Sequence, residues 1–393
     1  MTTTAAAVES RLLAGPGLMP LDPLPALDAS RLIDLLRQAG LTGHGGAGFP
    51  VWRKLAAVHA TRRPAVVIAN GAEGEPASGK DKALLAYQPQ LVLEGLQVVA
   101  RALGARSAHI YVSQGSAAGV RAALAARRGD PVTVHVAPDA FIAGEESAVV
   151  SALSGGPAVP GDKRIRITES GLGGAPTLVQ NVETLAHIAQ IVRCGPAWFR
   201  SAGTPDEPGT FLATVGGAVA APGVVEAGYG VRLGDLIAAA GGATARLQAV
   251  LIGGYHGGWA PPHPELPVSR AALAPYGAAP GAGVVLALPA GVCGLAETAR
   301  IAGYLAGQVA GQCGPCVNGL PRLAGTVADL AGRRAGPGLA AEVERLAGLV
   351  TGRGACRHPD GTARLVRSAL QAFDADVAAH LAGRCLAGEA AIR

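Results

Sequence analysis

Short apolar and β-branched runs recur through the first half of the chain. Val66-Val67-Ile68-Ala69, Ile110-Tyr111-Val112 and Val132-Thr133-Val134-His135-Val136 read as strands. Between the first two, Leu91, Val92, Leu93 and Leu96, continuing to Leu103, keep the spacing of an amphipathic helix. Strands alternating with helices over residues 28 to 205 predict a parallel sheet covered by helices. Ligands of such sheets bind beyond the carboxyl ends of the strands. The segment beginning at Asn70 follows the first predicted strand directly.

The texture changes near residue 205. Pro205-Asp206-Glu207-Pro208-Gly209 reads as a linker, and Thr210-Phe211-Leu212-Ala213-Thr214-Val215 as a new strand. Pro222-Gly223-Val224-Val225-Glu226, an apolar segment over 233–240 and Val250-Leu251-Ile252-Gly253-Gly254 complete a predicted small β-grasp module over 206–290. From Leu295 onward the period is helical. Leu320, Leu323, Val327 and Leu330 form one stripe, and Leu339, Val343, Leu346 and Val350 a second. Leu365, Ala369, Phe373, Val377 and Leu381 form a third, so 291–393 is expected to be a helical bundle. The expected fold class is therefore α/β, with a Rossmann-like domain over 1–205, the β-grasp module and the bundle.

Composition narrows the function classes. The mean hydropathy of +0.32 comes mostly from alanine, and no window approaches the ~20 strongly apolar residues of a membrane span. The first residues lack a basic stretch before an apolar run, so no secretory signal is expected and the chain reads as cytoplasmic. Net charge is +5, and the basic residues are scattered without interleaved aromatics, which argues against nucleic acid. The pairs Arg62-Arg63, Arg127-Arg128 and Arg333-Arg334 read as solvated helix or loop ends, or as an attraction for an acidic partner such as a ferredoxin. The six cysteines, at 194, 293, 313, 316, 356 and 385, lack the dense spacing of a disulfide scaffold.

Four motifs carry the chemistry. Gly43-His44-Gly45-Gly46-Ala47-Gly48-Phe49-Pro50 provides backbone N–H groups that can approach a phosphate closely, with Lys54 placed to add a charge. Asn70-Gly71-Ala72-Glu73-Gly74-Glu75-Pro76 offers an amide that both donates and accepts, which suits a flavin's pyrimidine edge. Its carboxylates are either solvated in a turn or face the uncharged end of a ligand. Gly144-Glu145-Glu146-Ser147 opens a helix, where acidic residues also suit the helix dipole. Asn181-Val182-Glu183-Thr184 is the fourth. Far downstream, Cys313-Gly314-Pro315-Cys316 and Cys356 offer thiols for zinc, a cluster or a dithiol. No second close ligand pair accompanies them beyond His358, so a cluster is the preferred reading. Cys194, Cys293 and Cys385 read as ordinary thiols.

As an ordered set these motifs resemble the FMN- and NADH-binding flavoprotein subunit of respiratory complex I and the related subunits of NAD-linked hydrogenases and formate dehydrogenases. The resemblance runs from about Gly40 to Ala387. It implies that Gly43, Gly45, Gly46, Lys54, Asn70, Glu73 and Asn181 hold FMN. It places Glu75, Glu145 and Glu146 on the dinucleotide side, with Phe49 stacking on NADH, and counts Gly144 among the cofactor-binding residues. It also implies a [4Fe-4S] cluster in the helical domain. The chain departs from that pattern at Ala310, where the first of three cysteines in Cys-x-x-Cys-x-x-Cys is expected. Cys313, Cys316 and Cys356 then leave three ligands, for a [3Fe-4S] cluster or a [4Fe-4S] cluster with an outside ligand. Ala72 replaces an Asp, Phe141 a Tyr, and Ala57 and Arg166 stand where aromatics help to clamp NADH. At about 1–3 kcal/mol per base–aromatic stack, two lost stacks imply NADH binding weaker by about a hundredfold. Arg164 and Arg166 read first as surface arginines, with contact to the extra phosphate of NADPH as the alternative.

The wording at Asn70-Gly71-Ala72-Glu73 is also similar to the C subunit of Rnf-type ferredoxin:NAD oxidoreductases. The resemblance thus implies an oxidoreductase in which NAD(P)H reduces FMN and single electrons pass to an iron–sulfur cluster or a ferredoxin-like partner subunit, with no side-chain acid or nucleophile required. Two alternatives stay open: a non-catalytic FMN-binding or scaffold subunit, and a ferredoxin-fed flavoprotein serving another acceptor.

Overall fold

The computed structural model describes residues 10–13, 26–127, 131–161, 165–334, 336 and 338–387. Arg128 and Arg164, singled out above, lie outside these residues. The chain divides into two compact units, one of residues 1–212 with 226–231 and one of 213–225 with 232–393.

The first unit holds four parallel strands, β1 (Val66–Gly71), β2 (Ser107–Ser113), β3 (Val132–Ala137) and β4 (Thr177–Asn181), in the order β3-β2-β1-β4. Its helices are α1 (Ala29–Ala39), α2 (Val51–His59), α3 (Lys80–Tyr87), α4 (Pro89–Ala102), α5 (Gln114–Ala125), α6 (Glu146–Leu153) and α7 (Val182–Arg200). The three runs read as strands are β1, β2 and β3, and the amphipathic segment is α4. β4 went unread as a strand because its short run merges into the apolar start of α7. β1 takes the centre because Val66, Val67, Ile68 and Ala69 are all buried, which only helices on both faces of a parallel sheet can provide. The register pairs Asn70 with Asn181 across β1 and β4, placing two motifs side by side at the carboxyl edge. Helix α7 kinks at Gly195, whose φ of +85° precedes Pro196. The expected linker is a closed turn: Thr204 N–H donates to the Glu207 carbonyl, and a side chain at Gly209 would collide with the Phe199 ring at 2.2 Å.

The second sheet runs β6-β5-β9-β7-β8, from β5 (Thr210–Gly217), β6 (Gly223–Gly228), β7 (Leu247–Ile252), β8 (Gly258–Ala260) and β9 (Val284–Pro289). β5 and β9 are parallel, whereas β7 runs antiparallel to both β8 and β9. Helix α8 (Leu233–Ala239) is the apolar segment between β6 and β7, and α9 (Arg270–Leu273) is a single turn. The remaining helices are α10 (Gly294–Gly307), α11 (Leu320–Ala331), α12 (Leu339–Val350), α13 (His358–Ala372) and α14 (Asp374–Leu381). The first two apolar stripes are the buried faces of α11 and α12. The third spans two helices, because Phe373 leaves helical geometry (φ −119°, ψ 35°) and Asp374 starts a new one.

The arginine pairs divide. Arg62 and Arg333 adopt positive φ just past α2 and α11. Arg127, read as solvated, instead donates to Gln97 Oε1 at 2.8 and 3.0 Å and to Gln90 Oε1 at 3.0 Å. Among the described residues no helix is long and apolar enough to cross a membrane.

Candidate flavin site and cysteine cluster

Four motifs scattered over about 140 residues meet in the first unit through direct bonds. The His44 backbone N–H donates to Thr184 Oγ1 at 2.9 Å, joining the glycine-rich loop to the start of α7. Asn70 Nδ2 donates to the Gly144 carbonyl at 2.8 Å, and Asn181 Nδ2 to the Asn70 carbonyl at 3.4 Å. Lys54 Nζ pairs with Glu146 Oε2 at 2.7 Å. A side chain at Gly144 would meet the Ala72 carbonyl at 2.6 Å, and one at Gly74 the Phe141 carbonyl at 2.3 Å, so glycine alone permits these loops to pass so closely.

The predicted side chains mostly brace backbone. Glu73 accepts from Ser78 Oγ at 2.5 Å and from the Asp81 and Lys82 N–H groups at 3.1 and 3.3 Å, closing the loop onto the start of α3. Glu75 Oε1 accepts from the Ala77 N–H at 3.2 Å. Glu145 caps α6, accepting from the Ser147 and Ala148 N–H groups and from Ser147 Oγ. Asn181 caps α7 through the Glu183 N–H at 3.0 Å.

Beneath these loops lies a buried charge network that the sequence did not disclose. Lys80 Nζ bonds Asp81 Oδ1 at 2.6 Å and Glu183 Oε2 at 2.8 Å. Glu183 Oε1 accepts from His44 Nδ1 at 3.0 Å and from the Leu212 N–H at 2.8 Å. Asp81 Oδ2 accepts from Asn181 Nδ2 at 2.7 Å, which ties the network to a predicted site residue. Burial alone would lower the Lys80 pKa, but Asp81, Glu183 and Glu73 hold it well above the usual lysine range. Burial alone would raise Glu183, yet Lys80 and His44 hold it well below the usual carboxylate range. Asp81 stays above that range through burial, against the pull of Lys80 and with Glu73 adding. His187 beside His44 is pushed down to about 3 by burial and by His44, so it is neutral at working pH. A usable signal was Glu183 itself: residues 182–191 of α7 are all buried, and a carboxylate there requires a partner.

The open face suits FMN. Gly46, at φ +101°, has no atom within 4 Å of an added Cβ, and Cβ atoms at Gly43 and Gly45 would make only ordinary contacts at 3.6 Å. The loop thus presents backbone to open space, and Phe49 at its end is 46% exposed. A cavity of about 600 Å³ lies beyond the carboxyl ends of β1, β2 and β3, bordered by Ala72, Glu73, Gly74, Ser113 and Pro138; of the predicted site residues only Glu73 lines it, and the glycine loop does not. Ala57 and Arg166, in the two expected aromatic positions, are exposed.

In the second unit the predicted cluster cysteines are brought together. Cys313 Sγ and Cys316 Sγ lie 3.5 Å apart, and Cys316 and Cys356 are buried. Partial burial raises the Cys313 thiol, but N–H groups of Ala355 and Cys316 outweigh it and lower its pKa; burial and Cys313 push Cys316 up. Thiols that receive backbone N–H groups suit an iron–sulfur cluster, and Ala310 offers no thiol at the position expected for a further cysteine.

Comparison with known proteins matches these two regions separately. A family model described as the Nuo51 FMN-binding domain matches residues 36–190. One described as the NADH-ubiquinone oxidoreductase-F iron-sulfur binding region matches residues 296–380. The F subunit (form 2) of NADH-quinone oxidoreductase from Rhizobium meliloti (strain 1021) is 32% identical, over 90% of this chain and 89% of the relative. The corresponding F subunit of Streptomyces coelicolor is 30% identical over 91% and 85%. An NAD+-reducing [NiFe]-hydrogenase, in the H2-reduced state, superposes with a TM-score of 0.81 at 31% identity over 90% of this chain. This chain spans 63% of that hydrogenase chain.

Proposed function

Because the chain belongs to the family of NADH-quinone oxidoreductase F subunits, we propose how its residues divide the work of an FMN-dependent NADH dehydrogenase. The protein is a flavoprotein oxidoreductase subunit that carries electrons from NADH through FMN to an iron–sulfur cluster. When bound, FMN supplies the conversion between two-electron and one-electron transfer.

Backbone N–H groups of Gly45 and Gly46 hold the flavin phosphate, Gly43 closes the loop by donating its own N–H to the Phe49 carbonyl at 2.9 Å, and Lys54 adds charge that it shares with Glu146. Asn70, Glu73, Gly144, Glu145 and Asn181 fix the loops whose backbone faces the isoalloxazine and ribityl groups. Phe49 stacks on NADH, with Glu75 and Glu146 on the dinucleotide side. Cys313, Cys316 and Cys356 hold the cluster, its fourth position open to an outside ligand. On this reading residues 1–205 carry the flavin, 206–290 form the β-grasp module and 291–393 carry the cluster. The subunit works in the cytoplasm and passes electrons to a ferredoxin-like or other electron-transfer partner.

One observation supports this reading most. Four distant motifs are joined by direct hydrogen bonds around one open glycine loop. The test is a visible-absorbance titration of anaerobic, FMN-loaded protein with NADH, with iron and sulfide assayed on the same sample. Bleaching of the flavin band by NADH is the expected result. A flavin that stays oxidised with NADH but bleaches with dithionite would overturn the assignment of NADH as direct donor.

A further inference from the structure

Cys293 and Cys385 read as ordinary thiols in sequence, but their sulfurs and a ring nitrogen of His380 all lie within 4.8 Å of one another in the second unit. His380 is 1% exposed. Its Nδ1 faces the Leu330 carbonyl at 3.1 Å, and a carbonyl only accepts, so Nδ1 carries the proton. The bare Nε2 then points at Cys293 Sγ, 3.5 Å away. A metal-binding histidine is oriented in this way, by one nitrogen donating to a carbonyl while the other is left as ligand.

The spacing fits a particular ion. With Zn–S of about 2.3 Å and Zn–N of about 2.0–2.1 Å, the S···N edge of a tetrahedron is about 3.5 Å. The observed Cys293 Sγ to His380 Nε2 distance is 3.5 Å. Cys293 stands at the N-cap position of α10 with no capping hydrogen bond from its side chain, and its sulfur lies within 4.8 Å of the Cys385 sulfur. Gly294 is needed beside it, because a side chain there would collide with the Phe373 ring at 2.3 Å, where α13 breaks into α14. That contact brings the start of α10 within reach of His380.

We propose that Cys293, His380 and Cys385 form a zinc site separate from the iron–sulfur cysteines, with water in the fourth position. Binding releases the two thiol protons and leaves both sulfurs as thiolates; no electron is transferred. The ion ties the start of α10 to α14 and to the segment at Cys385. The other compact group of donors, His44, Glu183 and His187, does not compete for this role, since Glu183 already bonds Lys80, His44 and the Leu212 N–H.

The test is an anaerobic titration of the full, cluster-loaded chain with Co2+, which reports tetrahedral thiolate ligation by its visible d–d and sulfur-to-metal bands, followed by displacement with Zn2+. One equivalent of tetrahedral Co2+ per chain is expected, lost in Cys293→Ser and in Cys385→Ser but kept in Cys316→Ser. Iron content should fall in Cys316→Ser and hold in the other two, which also shows that those variants remain folded. Absence of stoichiometric Co2+, binding lost only with Cys316, or a Cys293–Cys385 disulfide in the anaerobic protein would each overturn the proposal.

Discussion

Lys80→Met isolates the buried charge network, because it keeps the length of the side chain and deletes the cation. Three bonds disappear, at 2.6 Å to Asp81, 2.8 Å to Glu183 and 3.4 Å to Asn181 Oδ1, and both carboxylates are left in a site where Lys80 was itself only 4% exposed. Removing one partner of such a buried pair costs about 3–5 kcal/mol, a large part of the ~5–15 kcal/mol that holds a domain folded. The pH dependence gives a sharper signature. In the native protein the folded pKa of Glu183 lies below its ordinary 4.5, so its stabilisation is present above that pH and is lost as pH falls through the folded value. Asp81 runs the other way: its folded pKa lies above 3.8, so it costs stability once ionised, and that cost fades in acid. Without Lys80, burial pushes both carboxyls up, and each then costs stability until it takes up a proton. The difference between mutant and native protein should therefore be largest at about pH 8 and narrow towards about pH 5. Urea unfolding of both proteins at the two pH values measures it. A loss under about 1 kcal/mol, typical of an exposed pair, would refute the reasoning, as would a loss that ignores pH.

Gly144→Ala pushes a methyl group to within 2.6 Å of the Ala72 carbonyl, so it should destabilise the first unit by about 1–3 kcal/mol and weaken FMN binding in a fluorescence titration. Unchanged affinity would show that this close passage of loops does not shape the site. Phe49→Ala removes an exposed aromatic and should weaken NADH by about 5- to 150-fold, from about 1–3 kcal/mol per stack, while FMN affinity holds. Stopped-flow flavin reduction at varied NADH separates the two. Ala310→Cys adds a thiol three residues before Cys313 and should change the cluster's electron paramagnetic resonance signal, with iron rising to about four per chain from a [3Fe-4S] cluster and holding at about four where an outside ligand is displaced. A signal that does not respond would sink the three-ligand reading.

The parallel sheet was legible because burial on both faces writes its strands as unbroken apolar runs, as in Val66 to Ala69. β4 and β9 were not: β4 has only Leu178 and Val179 apolar before α7 begins, and β9 is a short unbroken apolar run, so neither leaves a period to read. The bundle stripes located α11 and α12, but periodicity alone passed through Phe373 and joined α13 to α14. Motif spacing identified Gly43, Asn70, Glu145 and Asn181 without saying which way their polar atoms turn. Asn181 illustrates the gap: its amide was read against a flavin edge, yet its groups bond the Glu183 N–H, the Asn70 carbonyl and Asp81.

That gap has a physical reason that bears on how the site works. A Gly-rich loop approaches a ligand only if something fixes its backbone, because glycine itself contributes no side chain to pack. Here the bracing comes from residues about 100 to 140 positions apart in sequence, through Lys80 to Glu183, Asp81 to Asn181 and Glu183 to His44. His44 sits inside the glycine loop, so the same carboxylate that answers Lys80 also anchors the loop. Low dielectric makes each bond in this network strong and each missing partner costly, so the network holds its geometry only when complete. Loss of flavin affinity in Lys80→Met would thus come from a slackened loop, although Lys80 itself is buried beneath the face that the loop presents.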